Sequence, residues 1–246
     1  MRLFWVGEWQ LIDLGPIRDW GYCPRMTDER ARHPVFARIY TKVADLAEGR
    51  GGAEHRRKLL AGLSGCVSEV GAGSGANFAH YPSAVSEVLA VEPEDYLRER
   101  AQHAATTAPI PVTVVDGSAS RLPGDEASFD AGIAALVLCT VPDQTQALAE
   151  LFRVIRPDGD LRFYEHVVSK RPWEARFQRL ADATLWPRLA GGCHLARDTT
   201  TAIESAGFVI ETSERFPFSP APLLPADPHI LGRARRPSPT AAAPAI

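Results

Sequence analysis

The sequence predicts an α/β protein built on a doubly wound, mostly parallel seven-stranded sheet, preceded by an N-terminal helical cap. Three observations carry this: short β-rich runs alternate with helical ones from residue 65 onward, a glycine-rich turn follows the first run, and an acid ends the second. With 246 residues, 45% of them hydrophobic, the chain is long enough for one such domain and a small appendage.

Between Pro34 and Leu63 the apolar residues Val35, Phe36, Ile39, Tyr40, Val43 and Leu46 recur at helical spacing. A break at Gly49–Gly52 and a second helical run complete a cap over 26–64. Cys66–Val70, Glu87–Val91, Val112–Asp116, Phe129–Ala135 and Asp160–Glu165 read as strands, and each of the four connections between them has room for a helix. Such βαβ units join right-handed into a parallel sheet covered on both faces. Thr199–Ala206 reads as a helix closed by Gly207 at its C′ position, and Phe208–Glu214 and His229–Arg233 supply two final strands. The main domain therefore spans 65–233, and residues 234–246, rich in Pro, Ala and Arg, are expected to form a disordered tail. Residues 1–25 read as an extension of open status. Leu3–Ile12 is apolar, but Glu8 interrupts it and it is too short to cross a bilayer, while Met26-Thr-Asp-Glu-Arg resembles an ordinary protein start. No integral membrane segment is expected.

The net charge of -3 provides no general cationic field, so nucleic acid is not an expected partner. Cys23, Cys66, Cys139 and Cys193 are widely spaced and form no CxxC pair. Neither a disulfide framework nor a metal site is predicted, and a reducing cytoplasm fits best.

Ser68-Glu-Val-Gly-Ala-Gly-Ser-Gly-Ala-Asn-Phe follows an apolar strand and is expected to open a helix, the setting in which glycines let backbone approach a ligand. Gly71-x-Gly73-x-x-Ala76 alone also satisfies the degenerate dinucleotide fingerprint of Rossmann-like folds. Glu92, ending the second strand in Val-Leu-Ala-Val-Glu-Pro, is placed to accept hydrogen bonds from ribose hydroxyls of either adenosyl cofactor. Glu69 separates the two. A carboxylate two residues before the first glycine gains nothing beside a pyrophosphate, whereas S-adenosylmethionine carries a sulfonium and an ammonium that it favours directly or through the loop.

Glu69-Val-Gly-Ala-Gly-Ser-Gly and Glu92-Pro93 resemble the first two motifs of class I S-adenosylmethionine-dependent methyltransferases. Gly117-Ser-Ala-Ser-Arg-Leu-Pro, Phe129-Asp-Ala with Leu136-Val-Leu-Cys-Thr-Val-Pro, and Leu151-x-Arg-Val-Ile-Arg-Pro-Asp-Gly resemble the motifs that follow, in the same order. Asn77-Phe, Tyr81-Pro, Glu165-His-Val, Gly192-Cys-His-Leu-x-Arg and Pro228-His-Ile-x-Gly narrow the resemblance to the methyltransferase-like family whose mammalian members include thiol S-methyltransferases. The resemblance implies a Rossmann-like fold and S-adenosylmethionine as cofactor. It implies that Glu69, Gly71, Ala72, Gly73 and Asn77 hold the cofactor's methionine side. Glu92, Pro93, Ser118 and Ala119 would meet its nucleoside, Leu136 would lie near the cofactor, and Tyr40 would lie over its methionine end. Ser118 stands where related enzymes usually carry an aspartate.

Methyl transfer is an in-line displacement that chiefly needs positioning in a dry pocket. A thiol acceptor, with a reference pKa near ~8.5, requires only modest help to ionise. His166, after the fifth strand at the carboxyl edge of the sheet, is the candidate base or acceptor contact, with a hydrogen-bonded structural histidine as the alternative. Glu165 is expected to point the other way. Cys193 and Cys139 read as packing, His194 as an acceptor-pocket residue, and Trp173–Trp186 as an amphipathic helix walling that pocket or serving the core. The expected acceptor is a small, apolar molecule, and thiol S-methylation is the first expectation. O- or C-methylation, a nicotinamide-dependent oxidoreductase and a non-catalytic S-adenosylmethionine-binding protein are the alternatives, the oxidoreductase disfavoured by Glu69 and by the lack of a Tyr-x-x-x-Lys pair.

Overall fold

All seven predicted strands form. In the computed structural model, which describes residues 34–238 apart from 185 and 223, they are β1 Gly65–Val70, β2 Val85–Val91, β3 Val112–Val115, β4 Phe129–Ala135, β5 Ile155–His166, β6 Val209–Phe218 and β7 Asp227–Arg235. One sheet results, in the order β3-β2-β1-β4-β5-β7-β6, with β7 antiparallel to both neighbours and the first five strands parallel. Strand order reverses between β1 and β4, and that reversal opens a crevice at their carboxyl ends, where open α/β sheets bind ligands.

Helices α1 (Pro34–Ala47) and α2 (Ala53–Leu60) form the cap. The predicted glycine break is a kink at Gly51, whose φ of 115° favours glycine. The central strands are apolar on both sides because two cores flank them. Leu59, Leu60, Phe78 and Tyr81 pack against Val67, Val88, Ile133 and Tyr164 on one face. On the other, Leu148, Leu151 and Val154 of α4 (Gln144–Val154) and Ile203 of α7 (Thr199–Ser205) meet Val70, Leu89 and Phe163. Asp143 caps α4 by accepting from the Gln146 amide, and Asp198 caps α7 from Thr201. Gly207, at φ 96°, ends α7 as predicted.

Two expectations need correction. Among the four connections within β1–β5, only those holding α3 (Asp95–Ala105) and α4 contain an α-helix. The glycine loop leads into a single 3₁₀ turn, Phe78–His80, because Tyr81-Pro82 draws the chain into extended conformation within a few residues. Gly117, Pro123 and Gly124 likewise break the β3–β4 connection. At the carboxyl end, β7 continues through Arg235, past the expected boundary at 233. Buried Arg236 donates to the carbonyls of Arg153 and Ile155 and lies over the Phe152 ring, so its guanidinium anchors this segment. The proposed extension over 1–25, the Met26 start and residues 239–246 lie outside the described residues.

β4 is the strand on which both cores meet, and Gly132 within it has no room for a side chain: a Cβ there would approach Ile155 Cδ1 to 2.6 Å and Leu151 Cδ2 to 2.9 Å. Gly132→Val is therefore expected to cost about 1–3 kcal/mol through overpacking, read as a lower urea midpoint at unchanged slope. An unchanged midpoint would show that α4 yields at no cost.

Candidate active site

The glycine loop is held from behind by a buried acid. Glu69, penultimate in β1 and 2% exposed, accepts from Asn77 Nδ2 at 2.9 Å and from the Tyr81 hydroxyl at 2.6 Å. Asn77 in turn accepts from Arg56 of α2 at 2.8 Å, which ties the cap to the loop. Burial pushes the Glu69 carboxyl above its ordinary pKa, while Tyr81, Asn77 and the Arg56 cation pull it back. Gly71 and Gly73 have φ of 64° and 58°. A Cβ on Gly71 would lie 2.3 Å from Val137 Cγ2, so the loop reaches the turn after β4 only because this residue is glycine. Ala72, buried behind the loop, donates its amide to the Val91 carbonyl.

Glu92 is 5% exposed at the end of β2 and accepts from the amides of Gly73 at 2.7 Å and Glu94 at 3.0 Å. Burial raises its carboxyl to about 7, against the two amide bonds. Each oxygen keeps a further lone pair, so the carboxylate fits a ribose diol at the loop's edge. Pro93 is exposed, its carbonyl accepting from Arg98. Ser118 is exposed and bonded to Ser120, with Ala119 half-buried beside it.

A second buried acid shapes the turn after β4. Glu165, with no exposed surface, accepts from the amides of Val137, Leu138 and Cys139 at 3.0, 2.9 and 3.2 Å. Burial and the neighbouring Cys139 hold its pKa well above the usual carboxylate range, against those three bonds. Gathering successive amides onto one carboxylate forces a sharp turn, and Leu136 at its start takes a φ of 58°, a strained conformation for leucine.

Leu136 borders a cavity of about 130 Å³ closed by Val43, Ala47, Arg56, Tyr164, Phe218 and His229. His166 is not among the lining residues; it stands at the last pair of β5 with β7, its ring 5.4 Å from that of the lining His229. It is 6% exposed, and among the described residues neither ring nitrogen has a hydrogen-bond partner. His229 Nδ1 donates to the Asp227 carbonyl at 2.8 Å. Burial lowers its pKa to about 4, leaving it neutral at physiological pH with its lone pair on Nε2.

The structure brings Glu69, Gly71, Ala72, Gly73, Asn77, Glu92 and Leu136 to one edge of the sheet, with Ser118 and Ala119 past β3 at its margin. Tyr40 lies in α1, and its side chain is outside the described residues. The stretch from Trp173 does form a helix, α5 (Pro172–Asp182), but it does not wall the cavity. Trp173, Phe177 and Leu180 are 68, 66 and 64% exposed, while Ala175 and Gln178 face inward because Gln178 accepts from the Ser169 amide. Leu185 lies outside the described residues. His194 also stands apart from the cavity, its Nδ1 3.9 Å from Asp182. Sequence reasoning missed Arg56, Tyr81, Tyr164, Phe218 and His229 as site components. Only the quoted Tyr81-Pro and Pro228-His-Ile runs carried a signal for two of them.

Comparison with known proteins supports the same chemistry. Residues 68–163 match the methyltransferase domain family. The human thiol S-methyltransferase TMT1B is 35% identical over 184 residues, covering 72% of this chain and 74% of that protein. Among solved structures, an S-adenosylmethionine-dependent methyltransferase from Mesorhizobium loti shares the fold, at a TM-score of 0.58 and 20% identity, covering 77% of this chain and 100% of that one. Among the described residues no helix is long and apolar enough to cross a membrane. The close approach at Gly71 and the buried Glu92 carboxylate after β2 fit S-adenosylmethionine as cofactor, and the chain belongs to the S-adenosylmethionine-dependent methyltransferases, in the family that contains the thiol S-methyltransferases.

Proposed function

We propose that the enzyme methylates a small, apolar thiol in the cavity beside Leu136, with His166 as the base that receives the thiol proton. The observation that carries this reading is the cavity itself. It is small, aromatic and apolar on most sides, it borders the turn that the glycine loop touches, and His229 lines it with the His166 ring next to its own. A thiol suits such a site, since one nearby imidazole suffices to take its proton, whereas a carbon acid needs a stronger base. The likeness to thiol S-methyltransferases points the same way.

Bound S-adenosylmethionine supplies the electrophilic methyl group. Gly71, Ala72, Gly73 and Asn77 would hold its amino-acid portion, Glu92 with Pro93 its ribose, and Ser118 and Ala119 its base, with Tyr40 and Leu136 over its methionine end. Glu69 would act through the loop, because both its oxygens are already taken by Asn77 and Tyr81. His166 would hold the acceptor's proton on either ring nitrogen. The free thiols of Cys66, Cys139 and Cys193 fit a reducing, cytoplasmic setting.

Release of S-adenosylhomocysteine with a panel of small thiols, phenols, amines and hydroxyquinones tests the acceptor. Turnover confined to thiols is expected; turnover with another class discards the thiol, and cofactor binding without any turnover turns the reading to a binding role. His166→Ala is expected to lower kcat by about 10²–10⁴-fold with the S-adenosylhomocysteine Kd unchanged by calorimetry. A matching loss of affinity would instead make His166 a structural residue. With the Glu92 carboxyl near 7, affinity for S-adenosylhomocysteine should fall as pH drops, because protonation removes the acceptor of the ribose hydroxyls. It should be about tenfold weaker at pH 6 than at pH 8, and Glu92→Gln should flatten the profile.

A further inference from the structure

Two thiols that methyl transfer does not use meet at the carboxyl edge of the sheet. Cys139 lies in the turn that Glu165 gathers and is 3% exposed. Cys193 is half-buried, in the segment between α6 (Trp186–Leu189) and α7. The His194 amide donates to the Cys139 carbonyl at 2.8 Å, and a Cβ on Gly192 would come within 2.9 Å of the Thr140 carbonyl oxygen. These contacts lay Gly192–His194 alongside Cys139–Thr140. Cys193, together with burial, raises the Cys139 pKa well above the ordinary thiol value. The Arg197 guanidinium donates to the Leu138 carbonyl and lies within electrostatic reach of both sulfurs.

We infer that Cys139 and Cys193 are a modification site, forming a reversible disulfide that locks the α6–α7 segment onto the turn after β4. The hydrogen bond from the amide after Cys193 to the Cys139 carbonyl runs the two backbones side by side, as a disulfide with its Cα spacing of about 4.4–6.8 Å requires. The oxidant is a hydroperoxide. The more accessible Cys193 thiolate attacks its terminal oxygen, the O–O bond breaks, and an alcohol or water leaves while the sulfur becomes a sulfenic acid. The Cys139 sulfur then attacks that sulfur, the S–S bond forms as the S–O bond breaks, and the departing hydroxide leaves as water with the Cys139 proton. Two thiols and one hydroperoxide thus yield one disulfide, one alcohol or water and one further water. The sulfurs together lose two electrons, and a dithiol reductant reverses the change. Because Leu136 and Val137 belong to the cross-linked turn, the bond would stiffen one wall of the cavity and the surface that Gly71 touches.

The test is intact-mass and peptide analysis of the full chain after stoichiometric hydrogen peroxide. A loss of about 2 Da, the two thiol hydrogens, is expected, mapped to a Cys139–Cys193 linkage and reversed by dithiothreitol. Cys193→Ser should abolish the loss and Cys66→Ser should leave it intact. Cys193 is only half-buried, so its serine variant keeps the comparison open even if Cys139→Ser does not fold. No mass loss, sulfinic acid at either cysteine in place of the linkage, or pairing with Cys23 or Cys66 overturns the inference. None of these readouts depends on the acceptor. Turnover of the oxidised form is expected to fall severalfold and to recover on reduction.

Discussion

The site rests on a carboxylate buried where water cannot reach it. Removing Glu69 from solvent costs several kcal/mol unless its oxygens find donors, and Asn77 and Tyr81 provide them from the far side of the glycine loop. That requirement fixes the loop's path, since both donors must return to the end of β1. Arg56 extends the same chain into α2, so the cap, the loop and the first strand share one polar network. Such a network rigidifies when every member is satisfied and fails when one is lost.

Glu165 repeats the device on the other side of β4. With β4 between them, β1 and β5 each place an acid behind a turn, and the two turns touch where Gly71 meets Val137. The crevice opened by the strand-order reversal is thereby lined by two turns whose amides are already oriented. That preorganisation suits a reaction in which alignment supplies much of the rate. The cap supplies the remaining wall: it enters the cavity through Val43 and Ala47, just before the Gly51 kink.

Much of this architecture is legible in the sequence, and the reasons are local. Alternating apolar runs located every strand, because a buried parallel strand must be apolar on both faces. Glu69, Gly71 and Glu92 stood out because an acid in an apolar run or a glycine after one has few purely structural uses. What escaped was long-range. Nothing near Glu165 in the chain announces that it holds amides more than 25 residues earlier, and Tyr164, Phe218 and His229 gather around the cavity only once β7 pairs with β5. The missing helix after the glycine loop was a local misreading, since Tyr81-Pro82 already marked the stop.

Helix α5 shows the limit most directly. Periodicity identified it as amphipathic, but it could not say which face turns inward. The decision belongs to a hydrogen bond: the buried Gln178 side chain accepts from the Ser169 amide and reaches toward the Val167 carbonyl, satisfying backbone at the end of β5. Leaving that buried amide unpaired would cost roughly 1–3 kcal/mol, comparable to burying one large apolar side chain. Polar anchoring at the strand's end and the small Ala175 therefore set the helix's rotation, and Trp173, Phe177 and Leu180 face away from the sheet as a consequence.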